Sequence, residues 1–503
     1  MTNALRPVAL LALALLFLPT VAARQTPASS EGSTVSSARS VSAVIGAPPG
    51  EEPMQMFSWA QTAADLGEVV VPGASAPGWS SSAWPMRWRS VPSFTSDPTY
   101  EVVVAPPLSG HPVLAERFLL QMPANFGMRP LSERAVVVAY HSWSTSEKQV
   151  FLSTDLPQEC AARGWMLFAP YGLRDTNFAN VDSQASCKRI LEFLYTLQPF
   201  DSGRVYGVGF SMGALNALSF GMRHLDPGGL RFAGIVAHTP TVDVLRAFAG
   251  ADPATQAKLA NPWHFGAGPD VDPFAYERIS PARVMNSGLI DDDAAPALNL
   301  LHIPVYLHVN LADPNAELVQ HALELSSFLT QRGGSVTERL VNDPVGGHTW
   351  GTMSTADALD TMAPARLPAH PKQFECFADR PGRIHYSEVL GKPDGRHARF
   401  QVEVSPLRFP TSNAFAVRGT RDLDQLLLRV RGMGLDPLQP FVFDVRSVDG
   451  TEDVIFLDGL ATRPQAVSIV DGGPSTWSWD SARRRLRVDL SLARGWARVT
   501  VTP

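Results

Sequence analysis

Between residues 135 and 341 short, nearly unbroken apolar runs alternate with helical patterns, and this alternation restricts the chain more than any other feature. A strand covered by helices on both faces needs apolar side chains toward both, so it loses the polar alternation of a half-exposed strand. The runs at 135–140, 165–169, 204–209, 232–237, 304–309 and 336–341 read as such strands, with helices expected at 152–163, 182–197, 211–224 and 316–331. The expected fold class is α/β, a mostly parallel sheet with helices on both faces, occupying residues 100–370. An opening hairpin is expected from 100–105 and 113–122. A long insertion, 241–303, contains Pro262-Trp263-His264-Phe265-Gly266 and is either a lid above the carboxyl ends of the strands or a surface elaboration.

With 503 residues the chain exceeds the roughly 300 at which a single core stops growing. Beyond residue 370 the helical patterns end. Strand patterns at 399–404, 425–430, 441–445, 454–457, 466–470 and 486–490, spaced by Gly, Pro and Asp turns, indicate a small all-β, sandwich-like domain over 371–503. Trp477-Ser478-Trp479 places two indoles on one side of a strand, where they serve either core packing, the favoured reading, or stacking on a glycan or polymer.

At the other end Arg6, the apolar run 8–18, Pro19 and Val21-Ala22-Ala23 follow the order of a secretory signal peptide, assigned to residues 1–23. A membrane anchor is disfavoured because about 20 apolar residues are needed to span a bilayer. The mature chain is therefore expected to be secreted or periplasmic, without an integral span. Residues 24–54, rich in Ser, Ala, Pro and Gly, read as a linker, and 55–99 as an N-terminal extension. A net charge of -6 supplies no basic field, so nucleic acid is not an expected partner. Three cysteines are too few for a disulfide scaffold, and none has metal-binding spacing. No metal and no cofactor are expected.

Chemistry concentrates at Gly209-Phe210-Ser211-Met212-Gly213, a G-x-S-x-G sequence between an apolar strand and a small-residue helix. A serine in that tight turn projects as a nucleophile, and the Met212 amide at the helix N-terminus is placed to receive an oxyanion. The alternative is a serine that merely caps a helix. A hydroxyl needs a base, and His348 in Gly346-Gly347-His348-Thr349-Trp350-Gly351 follows the last expected strand. The base needs an acid: Asp313, after the strand at 304–309, is the candidate, with Asp343 and Asp291-Asp292-Asp293 as rivals. The second oxyanion donor is expected from Ser142 or Trp143, after the first apolar strand. Trp263, His264 and Trp350 are candidate substrate contacts.

Met122-Pro123-Ala124-Asn125-Phe126, the strand ending in His141, the run 201–213 and Ala312-Asp313-Pro314 together resemble secreted esterases related to polyhydroxyalkanoate depolymerases and feruloyl esterases, and also prolyl-oligopeptidase-like hydrolases. The resemblance covers residues 100–366. It implies an α/β-hydrolase fold and a serine hydrolase that cleaves carboxylic esters of a small molecule or polymer through an acyl-enzyme. Two departures stand out: Ser142 where many relatives have glycine, and Ala214 in place of a common glycine. The tail resembles the β-rich C-terminal modules of some prolyl-oligopeptidase-like secreted hydrolases, and contact with a glycan or polymer is one role open to it. Two alternatives are a serine peptidase and a non-catalytic secreted binding protein built on a hydrolase scaffold.

Overall fold

The computed structural model describes residues 86–503, apart from 94, 105–115, 263, 369–370, 408, 410, 451, 471–472 and 493–494. The expected signal peptide, the linker and most of the extension lie outside the described residues. The first described strand, β1 (Met86–Val91), falls at the end of that extension.

Among the described residues nine strands form the main sheet: β1, β2 (Thr99–Val104), β3 (Glu116–Gln121), β4 (Val136–Tyr140), β5 (Met166–Pro170), β6 (Val205–Phe210), β7 (Gly234–His238), β8 (Val305–Asn310) and β9 (Val336–Val341). Their order is β1-β2-β3-β5-β4-β6-β7-β8-β9. The first four in that order are antiparallel neighbours, and β5 through β9 run parallel. The helices are α1 (Lys148–Leu152), α2 (Leu156–Arg163), α3 (Val181–Leu197), α4 (Met212–Arg223), α5 (Val244–Gly250), α6 (Pro253–Leu259), α7 (Pro273–Glu277), α8 (Ala316–Gln331) and α9 (Thr355–Met362). The helix expected over 152–163 is α2, which starts at Leu156 behind Asp155 with Pro157 in its first turn; the short α1 precedes it and ends at Leu152.

Successive strand residues serve opposite faces, which explains the unbroken apolar runs. Val136, Val138 and Tyr140 pack with α3, α4 and α8, while Val137 and Ala139 pack with α1, α2 and α9. This is the α/β-hydrolase architecture. Its register matters for the site: Tyr140 pairs with Gly209, Phe210 with His238, and His238 with His308, so these residues line up along the carboxyl edge of the sheet.

The chain after residue 370 folds into two six-stranded sheets. One has the order β10-β13-β14-β16-β21-β18, from β10 (Gln373–Ala378), β13 (Ala398–Val404), β14 (Ala414–Arg421), β16 (Phe441–Ser447), β18 (Ala466–Val470) and β21 (Trp496–Thr502). The other is β11-β12-β15-β17-β20-β19, from β11 (Gly382–Ile384), β12 (Ser387–Gly391), β15 (Gln425–Arg429), β17 (Glu452–Asp458), β19 (Thr476–Asp480) and β20 (Arg485–Ser491). Both sheets contribute to one buried core, as in a sandwich. Trp477 and Trp479 rest half-buried against that core. Cys160, Cys187 and Cys376 are buried and unpaired.

Polar contacts join the sandwich to the α/β unit. Asn299 donates to Met222 O and Phe377 O at 2.7 and 2.9 Å and accepts from the Phe377 amide at 2.7 Å. Asp293 pairs with Arg399 and Arg421. Among the described residues no helix is long and apolar enough to cross a membrane.

Candidate active site

Ser211 stands where β6 turns into α4, with φ 56° and ψ -119°. That backbone region is sparsely populated for a residue with a Cβ; it costs about 1–3 kcal/mol and persists only where the surroundings enforce it. Here they do. The Ser211 amide donates to His238 O at 2.9 Å, and its carbonyl accepts from Ala214 and Leu215. The two flanking glycines are steric requirements: a Cβ at Gly209 would lie 2.1 Å from the Gly213 carbonyl, and one at Gly213 would lie 2.2 Å from Tyr140 O.

His348 comes from the loop after β9. Ser211 Oγ lies 2.9 Å from His348 Nε2, and His348 Nδ1 lies 2.5 Å from Asp313 Oδ2. A carboxylate only accepts, so the shared hydrogen belongs on Nδ1, which leaves Nε2 free to accept from the Ser211 hydroxyl. The Asp313 side chain is almost wholly buried and its second oxygen accepts from the Asn315 amide at 2.8 Å. The imidazole rests on Phe210, ring centres 4.4 Å apart, and remains partly open to solvent.

The rival acids have other tasks. Asp343 accepts from the Val345 and Gly346 amides and shapes the histidine loop. Asp291 accepts from the Asp293 amide, Asp292 pairs with Arg332, and Asp293 faces the sandwich.

Of the two candidate donors after β4, the Ser142 amide is committed to Gln149 Oε1 at 2.8 Å. The Ser144 amide is likewise committed, to Asp175 O. Between them the Trp143 amide makes no hydrogen bond among the described residues, nor does the Met212 amide at the start of α4. Ser142 is therefore corrected from donor to brace, and the pair of free amides is Met212 and Trp143.

The candidate substrate contacts fare differently. Trp263 lies outside the described residues. His264 is buried, with Nε2 2.5 Å from Thr176 O, and burial drives its pKa down to about 3, so it is a neutral ring that pins the insertion to the loop after β5. Trp350 is also buried: its indole packs at a tilt against Phe210, ring centres 5.7 Å apart, and donates to Gln149 Oε1 at 3.2 Å. Neither ring is exposed for contact with a substrate. The insertion helices α5–α7 bury Val244, Leu259, Phe265 and Tyr276 in a cluster that includes Trp143 and Phe178, whose rings meet edge-on at 5.0 Å. An apolar wall thus stands beside the free Trp143 amide.

Asn310, at the end of β8, ties the acid loop to the histidine loop. Its Nδ2 donates to Asp343 O and Gly347 O, both at 2.9 Å, and its Oδ1 accepts from the Asp343 amide at 2.9 Å and from Ala312 at 3.2 Å. Sequence reasoning passed over it; the one available signal was a polar residue closing an apolar strand just before the acid. His238 and His308 are buried beneath the site, ring centres 4.5 Å apart, and desolvation holds both well below the ordinary histidine range. Among the described residues no group of three or more His, Cys, Asp or Glu side chains is arranged to hold a metal.

No protein-family profile matches the chain, and no curated protein is similar to it in sequence. Among solved structures, an S-formylglutathione hydrolase from Agrobacterium tumefaciens is 14% identical over 56% of this chain and 99% of its own, with a TM-score of 0.39. A ferulic acid esterase is 13% identical over 55% of this chain and 96% of its own, TM-score 0.37. A dipeptidyl peptidase 4 from Porphyromonas gingivalis is 16% identical over 53% of this chain and 35% of its own, TM-score 0.34.

Proposed function

We propose that this chain is an exported serine hydrolase that cleaves carboxylic esters through an acyl-enzyme on Ser211. The observation that carries the reading is the unbroken relay from Ser211 Oγ through His348 to Asp313, with both contacts at hydrogen-bonding distance. The Ser211 oxygen attacks the ester carbon as its proton passes to Nε2, and the imidazolium so formed is held by Asp313. The carbonyl oxygen, now negative, is received by the Met212 and Trp143 amides. The alcohol leaves with the proton from His348, which then deprotonates a water to release the acid.

An ester is favoured over a peptide on two grounds: the esterase-like phrasing of the sequence, and the apolar wall of Trp143 and Phe178, which suits an acyl chain or aromatic acid. Export rests on the signal-peptide pattern of residues 1–23.

The test is release of p-nitrophenol from acetyl and butyryl esters by the mature chain beside Ser211→Ala, with fluorophosphonate labelling of both. Turnover and labelling that vanish in a folded variant support the reading. Absence of both from the parent chain would overturn it, and labelling accompanied by cleavage of peptides but not esters would move the substrate class to peptides.

A further inference from the structure

At the far end of α4 from Ser211, a cavity of about 170 Å³ opens between the hydrolase unit and the sandwich. Twelve helical residues at 1.5 Å each put it roughly 18 Å from the nucleophile. Its volume is about tenfold the ~10–15 Å³ that one water requires. The side chains that line it carry more positive than negative charge. Lys188, Arg223, Arg380 and Arg383 line it, against Asp226 and Asp379.

Asp379 is already spent. Arg223 and Arg278 both donate to its Oδ2, at 2.7 and 2.6 Å, so one carboxylate faces two guanidiniums. Lys188 pairs with Glu192 at 3.2 Å on the rim, Arg383 reaches Asp226 only at 3.9 Å, and Arg380 makes no ion pair among the described residues. Arg223 is buried, yet its Nη1 has no hydrogen-bond partner; the same holds for Nε2 of its neighbour His224. An unsatisfied guanidinium nitrogen is costly in a buried setting. Burial, with Arg380 and Arg278 nearby, lowers the Arg223 pKa to about 10, the response expected of a cation in surplus positive charge. The carbonyl end of α4 contributes only about half a negative charge, too little to offset the cations.

We propose that this cavity binds a small tetrahedral oxyanion of the phosphate or sulfate type, received by Arg223 Nη1, Arg380 and Lys188, and that the bound ion bridges α4 to the loop between β10 and β11. Planar guanidinium forks suit an ion with several oxygens better than a halide. The site is independent of the hydrolase chemistry, since none of its residues belongs to the relay around Ser211.

Inorganic phosphate is titrated into the full chain by calorimetry and thermal melting, with chloride at matched ionic strength as the control. The expected result is saturable phosphate binding and a rise in Tm that chloride does not reproduce. Arg380→Gln and Lys188→Gln lie at the exposed and half-exposed rim, so they leave the Asp379 pairing intact, and each is expected to weaken phosphate binding about 10-fold. Glycerol 3-phosphate distinguishes the source of the anion: equal binding assigns the site to a phosphate group on a larger molecule, and weaker binding to the free ion. A Tm rise no larger than that in chloride overturns the proposal. So does phosphate binding that is unchanged in both variants, which would place the ion elsewhere on the surface.

Discussion

The Ser142 amide and the Gln149 side chain are joined by a 2.8 Å hydrogen bond that decides which amide after β4 stays free. Gln149 also donates to Ser142 Oγ at 2.8 Å and accepts from Thr145 and from the Trp350 indole. One side chain on α1 therefore fixes the loop that presents Trp143. Gln149→Leu keeps most of the volume and removes these bonds. The expected result is a 10- to 100-fold loss of kcat on p-nitrophenyl esters with little change in KM, because the loop aims a group that acts on developing charge. A variant with unchanged kcat would remove Trp143 from the oxyanion site.

Asn310 makes a comparable prediction for the other half of the relay. Asn310→Ala strips four hydrogen bonds from the loops that carry Asp313 and His348, including those to the half-buried carbonyls of Asp343 and Gly347. A loss of stability of about 2–4 kcal/mol is expected, from about 0.5–1 kcal/mol for each of the four bonds. Urea unfolding measures it. Activity should fall further than stability, since Asp313 and His348 each lose their anchor; full activity in the folded variant would contradict this.

The elements of the candidate site were legible because they are local. The β6 run, the two glycines around Ser211 and the helix after them all lie within one stretch, and Gly209 and Gly213 are demanded by contacts shorter than 2.5 Å. Asp313 and His348 follow β8 and β9 by a few residues, so locating the strands located them. What escaped was set by tertiary contact. Nothing in the pattern distinguishes the Ser142 amide from that of Trp143, because the choice is made by Gln149, and the burial of Trp350 and His264 depends on which face of a loop meets the core. In the sandwich, β14 reads Ala-Phe-Ala-Val with no alternation because it is covered on both faces, and β10 to β12 are short and interrupted by Pro381, Gly382 and His385. Strand β21, by contrast, alternates cleanly and was legible in principle.

Acid should destabilise this protein in a defined window. Buried His264 sits at about 3 and His302, His308 and His397 at about 4, all lowered chiefly by desolvation; His224, His238 and His385 are also held low. A depressed histidine stabilises the fold above its unfolded pKa of about 6.5, and that contribution is lost as pH falls toward the folded value. Each contributes a slope of about 1.4 kcal/mol per pH unit at most. Glu116 opposes them: burial raises it to about 7, so on acidification from pH 7 to 4.5 it takes up a proton in the fold first and adds stability. Seven histidines outweigh one carboxyl. Tm should therefore fall from pH 6.5 to 4.5, and more steeply in Glu116→Gln; a flat profile across that window would contradict the neutral histidines.

The junction between the two units supplies the last test. Asp379 is buried and accepts from Arg223 and Arg278 through a single oxygen, so its loss leaves Arg223 buried without its counter-charge. Asp379→Leu should cost about 3–5 kcal/mol, the range for breaking a buried pair from one side. Arg278 is partly exposed and can turn to solvent, but Arg223 cannot. Adding Arg223→Met removes the orphaned charge and replaces the pair with apolar volume, which is often neutral. The double variant should therefore recover most of the lost stability, measured by urea unfolding in chloride buffer. Recovery separates charge imbalance from a simple packing defect: if the double variant is less stable than Asp379→Leu alone, the cluster holds the junction by shape and not by charge.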